Sequence, residues 1–308
     1  MLFSRTAVGM DITPHGITVA AVGGGSKAPK LVAHGSAAFP EGKLCILHRE
    51  PNVLDPGVFV KTVREAYHRL LVKSNQVSVS LPDAAGHVMI LDVETRFRSH
   101  EEGRDIIRWK LKKSLPYDVS DIHLDYQTLR EKENGELSVL VAIISRHVVT
   151  QYEDLILEAG IQPNRIDFTA FNLCRPFARR LELGESSLFV AYYEGVLSIL
   201  VFSEGILEFF RTKELGGTES DMNRVFMEIN SSLLIYRDKN AGRELKEVFC
   251  FGGSGDVDMF RSVISEASGV EPQALELGRF ITLPDGMAGG NGAPTSLCAA
   301  LGAAMRNL

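Results

Sequence analysis

The sequence predicts an α/β protein built as two lobes, each of which opens with paired strands. The chain has 308 residues, more than one small core usually organises. Strand-like apolar runs alternate with segments of helical periodicity along its length. A pattern of strand, tight turn and strand near residue 7 recurs from residue 188. These observations favour two related halves.

The amino-acid composition indicates a globular protein and argues against several kinds of binding site. Hydrophobic residues make up 45% and charged residues 23%, which is typical of a folded globular chain. The formal net charge of −6 gives no basic field for nucleic acid phosphates or an anionic membrane, so we expect no nucleic acid partner. The four cysteines lie far apart in sequence, which predicts neither a zinc site nor a dithiol motif but buried thiols in a reducing compartment.

The N-terminus and the apolar runs predict a cytoplasmic protein. The first apolar stretch is broken by Ser4, Arg5 and Asp11, which does not fit a secretory signal. No apolar run reaches the roughly 20 residues that a spanning helix needs. We therefore expect any membrane association to be peripheral, without direct insertion.

The first-lobe core is predicted from the N-terminal third of the chain. Apolar runs over 7–38 are separated by two turn-forming clusters, which favours three consecutive strands. Asp55 followed by Pro56 predicts the start of a helix. The Asp55 carboxylate can cap the free N–H groups of the first turn. Proline is tolerated at the first helical position, because an N–H there would have no partner within the helix. A strand over 76–81 ends this unit.

A compact α/β insert is predicted over 84–160. A strand begins near His87, and Ser99 with Glu102 has the spacing of a capping box at the start of a helix. We expect Pro116 to stop that helix. Two strands joined by a tight turn follow, and a second helix closes the insert.

The remaining segments predict the end of the first lobe and the whole second lobe. A strand from Arg165 and an apolar helix to about Arg180 resume the first-lobe core, and the polar joint 182–187 leads to new paired strands. The further predicted elements are one helix between Leu215 and Glu247, a buried strand over 247–253, a helix over about 256–267, a flexible loop over 286–292 and a small-residue helix over 297–305. The predicted boundaries are 1–83 with 161–183 for the first-lobe core, 84–160 for the insert, 184–293 for the second lobe and 294–308 for the closing helix.

This arrangement resembles the actin-like ATPase superfamily, in which two lobes each open with a strand–turn–strand hairpin. The insert resembles that of the FtsA and PilM branch, since its helix carries Trp109 and is followed by Pro116, and the next strand contains Asp125 and Tyr126. The resemblance runs from Val8 to Leu301. It implies a two-lobed actin-like, ribonuclease H-like fold with an FtsA/PilM-type insert and a truncated second lobe.

The resemblance also implies where a nucleotide would bind. The first hairpin keeps Asp11 and Gly16, but Thr13 stands where a glycine is usual and Pro14 has no N–H to donate. The turn expected on the adenosine side keeps its pattern, with Gly252, Gly253, Ser254 and Gly255. Either site has a simpler interpretation: Asp11 as a turn residue, and the glycine cluster as a strand-to-helix turn.

The second hairpin departs further from the superfamily pattern. Ala191 stands at the usual aspartate position, and Tyr192, Tyr193 and Glu194 replace small residues. We expect this bulk and charge to occupy the place of the phosphates. About 31 residues separate Leu215 from Glu247, too few for the helical subdomain that closes over the base. We therefore expect no cofactor, with ATP and magnesium as the alternative, and we predict neither catalytic residues nor a metal site.

In the PilM family, a groove between the first-lobe core and the insert takes up an N-terminal peptide of the inner-membrane protein PilN. The resemblance implies a PilN-like partner, contacts with other pilus platform proteins, and attachment to the inner membrane through them. A peptide would lie extended beside a strand. The residues implied for the groove are Val88, Ile90, Trp109, Asp167, Ala170 and Phe171. The function expected is that of a type IV pilus scaffold without ATP hydrolysis.

Alternatives remain open at this stage. One is a working ATPase of the same fold with a reshaped phosphate site. Another is the actin-like cytoplasmic part of a type II secretion platform protein, which is disfavoured because such proteins continue into a membrane span whereas this chain ends at Leu308. The basic helix around Trp109 is expected to be a solvated face, with lipid headgroups as the alternative contact.

Overall fold

The computed structural model describes residues 6–113, 119–216, 222–240, 242–252, 257–284, 287 and 295–308. The strands are β1 (Ala7–Thr13), β2 (Gly16–Gly25), β3 (Ala28–Ala38), β4 (Gln76–Leu81), β5 (Gly86–Val93), β6 (Ile122–Glu131), β7 (Leu137–Ser145), β8 (Gln162–Phe168), β9 (Ser186–Tyr193), β10 (Val196–Ser203), β11 (Ile206–Glu214), β12 (Glu247–Gly252) and β13 (Gln273–Ala274). The helices are α1 (Pro56–His68), α2 (His100–Lys112), α3 (Arg146–Glu158), α4 (Thr169–Cys174), α5 (Ala178–Leu181), α6 (Met222–Lys239), α7 (Val257–Ser268) and α8 (Cys298–Met305).

The first-lobe sheet has the strand order β3-β2-β1-β4-β8. The first three strands are antiparallel, whereas β4 and β8 run parallel to β1. One face is covered by α1 and α3, whose buried side chains, among them Phe59 and Tyr152, pack with Met10 and Val79 of the sheet. On the other face, Ala20 of β2 packs with the closing helix α8.

The second lobe repeats this arrangement with the order β11-β10-β9-β12-β13. Its outer face is covered by α6 and α7, which contribute Ile229 and Phe260 to a separate core. Its inner face, with Phe189 and Phe249, packs in the same cluster as Ala300 of α8. The two sheets therefore enclose a shared middle layer that contains α4 and α8.

The insert is a three-stranded sheet of order β5-β7-β6. Alternate residues of a strand point to opposite faces, so Val139 and Val141 pack under Ile107 and Leu111 of α2. The opposite face of the insert sheet, represented by Ala142, is turned toward the first-lobe core.

Local sequence signals explain how the helices begin. Asp55 caps α1, its carboxylate accepting the N–H of Val58 at 3.1 Å. Ser99 caps α2 by accepting the N–H of Glu102 at 3.1 Å, and the Glu102 carboxylate accepts the N–H of Arg98 at 2.5 Å. These contacts confirm the predicted caps at both helices.

Several predictions differ from the structure. The helix expected to run to about Arg180 is divided into α4, a 3-10 turn over Arg175–Phe177 and α5, because Pro176 has no N–H to continue the hydrogen-bond ladder. Helix α3, predicted as part of the insert, packs in the first-lobe core. Cys45 is exposed, although the cysteines were expected to be buried. Pro116 and, apart from Met287, the loop over 286–292 lie outside the described residues.

Between Leu215 and Glu247, the described part of the chain contains one helix, α6, as predicted. None of the described helices is long and apolar enough to cross a membrane.

Helix α8 approaches its neighbours closely through glycine. A Cβ on Gly9 of β1 would lie 2.0 Å from the carbonyl oxygen of Ala300, and a Cβ on Gly302 of α8 would lie 1.9 Å from that of Asn172. No Cβ fits at such distances, so β1, α8 and α4 can pack at this spacing only with glycine at both positions.

We expect Gly302→Ala to destabilise the protein by about 1–3 kcal/mol or more, because the added methyl group meets backbone that cannot rotate away. Urea unfolding followed by circular dichroism measures the change. Gly25→Ala is the matched control, since a Cβ there has no atom within 4 Å among the described residues. Equal stability of the two variants would contradict the close packing.

Candidate functional site

The first candidate site is the cleft between the lobes, where the β1–β2 and β9–β10 turns meet. Glu194 and Gly195 form the second turn with φ of +48° and +77°, the left-handed pair that a two-residue hairpin favours. The Glu194 carboxylate lies 3.9 Å from Nε2 of His15 on the first turn. Behind these turns is a cavity of only about 50 Å³, lined among others by Pro14 and Asp83.

The cleft is filled by a contact between the lobes. The hydroxyl of Tyr193, at the end of β9, donates a hydrogen bond of 2.7 Å to Oδ2 of Asp11 on β1. The same hydroxyl lies 3.4 Å from the carbonyl oxygen of Ser296, just before α8. Asp11 is fully buried, and its Oδ1 has no hydrogen-bond partner in the described part of the chain.

A second buried carboxyl lies beside this contact. Asp83 accepts the N–H of Ala170 with both oxygens, at 3.2 and 3.1 Å. Burial raises the pKa of Asp83 to about 7, the Ala170 N–H opposes the shift, and the charge of Asp11 adds to it. Burial likewise raises the pKa of Asp11 to about 7, partly offset by the Tyr193 hydrogen bond. Both carboxyls therefore keep their protons to higher pH than an exposed aspartate does.

The residues predicted to bind a nucleotide lie at different places, and some of them are outside the described residues. Asp11 faces the cleft, and Gly16 begins β2 directly after the first turn. Gly252 is the last residue of β12 and pairs with Tyr192. Gly253, Ser254 and Gly255 lie outside the described residues. Tyr192 was expected in the place of the phosphates, but it packs against Phe260 in the second-lobe core, because neighbouring residues of a strand face opposite sides.

The second candidate site, called the insert groove below, is an open cavity of about 700 Å³ between the insert and the first lobe. It is bordered by β6 and β7 of the insert, by α3 and β8 of the first lobe, by the start of the middle layer and by the end of α8. Residues that represent these borders are Gln127, Leu140, Ala142, Val149, Thr150, Asp167, Phe171 and Arg306.

Of the residues predicted for a peptide, only two line this groove. Asp167 and Phe171 do so, and the Phe171 ring stacks on Phe210 of β11 with centroids 5.0 Å apart. Ala170 lies next to them but is fully buried, with its N–H bound to Asp83. The resemblance implied Ala170 for the groove surface, but its burial places it in the core instead.

The other three predicted residues lie elsewhere. Val88 and Ile90 of β5 are on the groove face of the insert sheet, but they pack against the lobe cores behind β7. Trp109 is on the outward side of α2, beyond the opposite face of that sheet. Its side chain is 62% exposed, and the Lys113 ammonium sits 3.8 Å from the centroid of its indole. The structure therefore does not bring Trp109 together with Asp167.

Three groove residues were missed by sequence reasoning. They are Arg165 of β8, Arg175 in the 3-10 turn and Arg306 after α8. Arg306 Nε lies 2.9 Å from Oδ2 of Asp167. Burial raises the pKa of Asp167, and the charges of the three arginines, led by Arg306, oppose that shift. No sequence motif marks these residues, since they come from segments far apart in the chain.

Two strand edges border the insert groove. Strand β8 is the last strand of its sheet and β6 is the last strand of the insert sheet, and both border the groove. An extended peptide can add to such an edge through main-chain hydrogen bonds. Within the described residues there is no group of three metal-ligating side chains.

Comparisons with known proteins agree with this architecture. The family model for the type IV pilus assembly protein PilM matches residues 9–223. No curated protein matches the chain by sequence. A solved PilM-PilN type IV pilus biogenesis complex is 18% identical, with a TM-score of 0.83, and the match covers 97% of this chain and 98% of that one.

Two further solved structures share the fold. The cytoplasmic domain of EpsL, an inner-membrane component of the type II secretion system of Vibrio cholerae, is 11% identical with a TM-score of 0.53, covering 97% of this chain and 94% of that one. A protein of actin-like ATPase fold and unknown function from Bacteroides thetaiotaomicron is 11% identical with a TM-score of 0.52, covering 91% and 93%. The predicted actin-like fold is confirmed.

The buried carboxyls of the cleft predict a pH dependence of stability. The ordinary pKa of an aspartate is 3.8, and both groups are raised to about 7 in the folded chain. The folded state therefore holds protons that the unfolded state releases, so the stabilising effect is complete below pH 3.8 and is lost as the pH rises through about 7. We expect the free energy of unfolding to fall over this window, as measured by urea unfolding at a series of pH values.

Asp11→Asn should flatten this decline, because the amide oxygen still accepts from Tyr193 but carries no titrating proton. Asp55→Asn is the control, since its pKa is lowered in the folded chain by Lys43 and the Val58 N–H, and asparagine still caps α1. A decline that is equally steep in wild type and Asp11→Asn would contradict the assignment.

Proposed function

The chain belongs to the PilM family of type IV pilus assembly proteins, and we propose that it acts there as a scaffold that binds an N-terminal peptide of a PilN-like protein without hydrolysing ATP. The observation that carries the proposal is the contrast between the two candidate sites. The insert groove is open and bordered by two strand edges, whereas the interlobe cleft is filled by Tyr193. In this proposal the partner makes the attachment to the inner membrane.

The peptide site is supported by the shape and lining of the insert groove. Its walls combine apolar surface from Leu140, Ala142 and Phe171 with polar groups at Gln127 and Thr150. An extended peptide could place alternate side chains against these two kinds of wall. A solved structure of the same fold is a PilM-PilN complex, which supports a partner of that type.

The residues of the cleft support the proposal that the chain does not hydrolyse ATP. Catalysis of phosphoryl transfer needs donors and a cation aimed at the phosphates. At this place the chain presents the Tyr193 ring, the Pro14 nitrogen without a hydrogen, and the buried carboxyls of Asp11 and Asp83. Among the described residues, the cavity at this place measures about 50 Å³, which is too small for a triphosphate unless the lobes move apart.

We expect Thr150→Trp to weaken the N-terminal peptide of the PilN-like protein from the same organism by at least about tenfold, because Thr150 is an exposed groove residue and an indole there fills the cavity. Calorimetric titration into the full chain measures the affinity. Leu157→Trp is the matched control, since Leu157 is 52% exposed on the same helix but does not line the groove.

The result that would remove the groove assignment is equal binding to wild type, Thr150→Trp and Leu157→Trp. If the peptide bound neither the wild type nor either variant, the proposed PilN-like partner would be wrong. Ala170→Arg would be unsuitable as a test, because Ala170 is fully buried and an arginine there would test folding rather than binding.

We also expect the purified chain to hydrolyse ATP with magnesium no faster than its Asp11→Ala variant or a blank, because the cleft lacks a phosphate cradle. Phosphate release measured under saturating ATP tests this. Magnesium-dependent turnover in the wild type that Asp11→Ala abolishes would show instead that the cleft opens to a nucleotide.

A further inference from the structure

The insert groove carries an unbalanced set of charges where β8, the 3-10 turn and the end of α8 meet. Arg165, Arg175 and Arg306 all lie close enough to Asp167 to influence its ionisation. Only Arg306 pairs with that carboxylate, at 2.9 Å. Three guanidinium groups therefore share one acidic side chain.

Arg175 is the least compensated member of this cluster. Its side chain is half-buried, and its Nε is buried with no hydrogen-bond partner in the described part of the chain. Among the described residues it makes no ion pair; burial and the neighbouring charge of Arg306 lower its pKa, and the shared carboxylate of Asp167 opposes that shift. A partly buried cation whose nearest carboxylate is already paired with another arginine favours an anion that arrives in the groove.

The other charges along the groove leave this imbalance in place. Asp125 lies 3.4 Å from His100 and 3.9 Å from Arg104 of α2, so it already faces other positive or titratable groups. On α3, Glu153 and Arg146 both line the groove, so this helix adds one negative and one positive charge. The surplus positive charge is therefore concentrated around Arg175.

From this geometry we infer that Arg175, assisted by Arg165, binds the carboxylate of an aspartate or glutamate side chain in the partner peptide; the inference rests on the proposed function of the groove. A guanidinium offers paired N–H donors that match a carboxylate in a bidentate hydrogen bond. The apolar stack of Phe171 and Phe210 borders the same cavity, so an acidic side chain flanked by apolar residues on a peptide suits the site better than a free, fully hydrated anion.

The test uses the full chain and the same PilN-like peptide, titrated calorimetrically. Arg175→Gln should weaken the wild-type peptide at least about tenfold, since truncating one partner of a buried charge pair costs that much or more. Replacing the acidic residues of the peptide one at a time by their amides should reveal one position with a similar loss. Combining that peptide with Arg175→Gln should add little further loss, because both changes remove the same contact.

Two variants keep the result interpretable. Arg165→Gln, at an exposed strand position, should weaken the peptide in the same direction even if Arg175→Gln fails to fold. Arg98→Gln removes an equal charge at an exposed position outside the groove and should leave the affinity unchanged. Circular dichroism confirms folding of each variant.

The outcomes separate the two proposals. A peptide that binds the wild type and is blocked by Thr150→Trp, but is insensitive to Arg165→Gln, Arg175→Gln and every acid-to-amide change, would overturn the carboxylate contact and leave the groove intact. The same holds if the bound peptide contains no acidic residue. A peptide that does not bind the wild type at all would overturn the proposed function, and the carboxylate contact with it.

Discussion

The rest of the structure depends on the wedging of α8 between the two sheets. Nearly every residue of this helix is buried, and small side chains let its backbone approach β1 on one side and α4 on another. The start of the helix places the carbonyl of Ser296 near the Tyr193 hydroxyl in the cleft. Its end places Arg306 against Asp167 in the insert groove. One short helix therefore fixes the geometry of both candidate sites.

The two sites have opposite character although they share this support. In the cleft, the Tyr193 hydroxyl of one lobe donates to the Asp11 carboxyl of the other, and the remaining cavity among the described residues is about 50 Å³. In the insert groove, strand edges, apolar rings and the Arg175 guanidinium, which makes no ion pair among the described residues, face an open cavity of about 700 Å³. The two sites therefore differ mainly in how much open space and how many accessible polar groups they offer.

Local sequence signals made most of the helices and strands predictable, but contacts between segments far apart in the chain could not be predicted. The capping box at Ser99 and the Asp55-Pro56 start depend on neighbouring residues alone, and both are present in the structure. The second helix of the predicted insert, α3, is present in the structure, but local periodicity cannot tell which core a helix joins, and α3 packs in the first-lobe core. Strand alternation already implied that Tyr192 and Tyr193 face opposite sides. Arg165, Arg175 and Arg306 meet only through the tertiary fold, so no spacing rule could group them.

The Tyr193–Asp11 contact also affects how the two lobes can move. Opening the cleft would require this buried hydrogen bond to break and the close backbone packing of α8 against β1 to separate. Both contacts therefore oppose a rotation of one lobe relative to the other, and they hold the two sheets at the spacing that the glycine positions set.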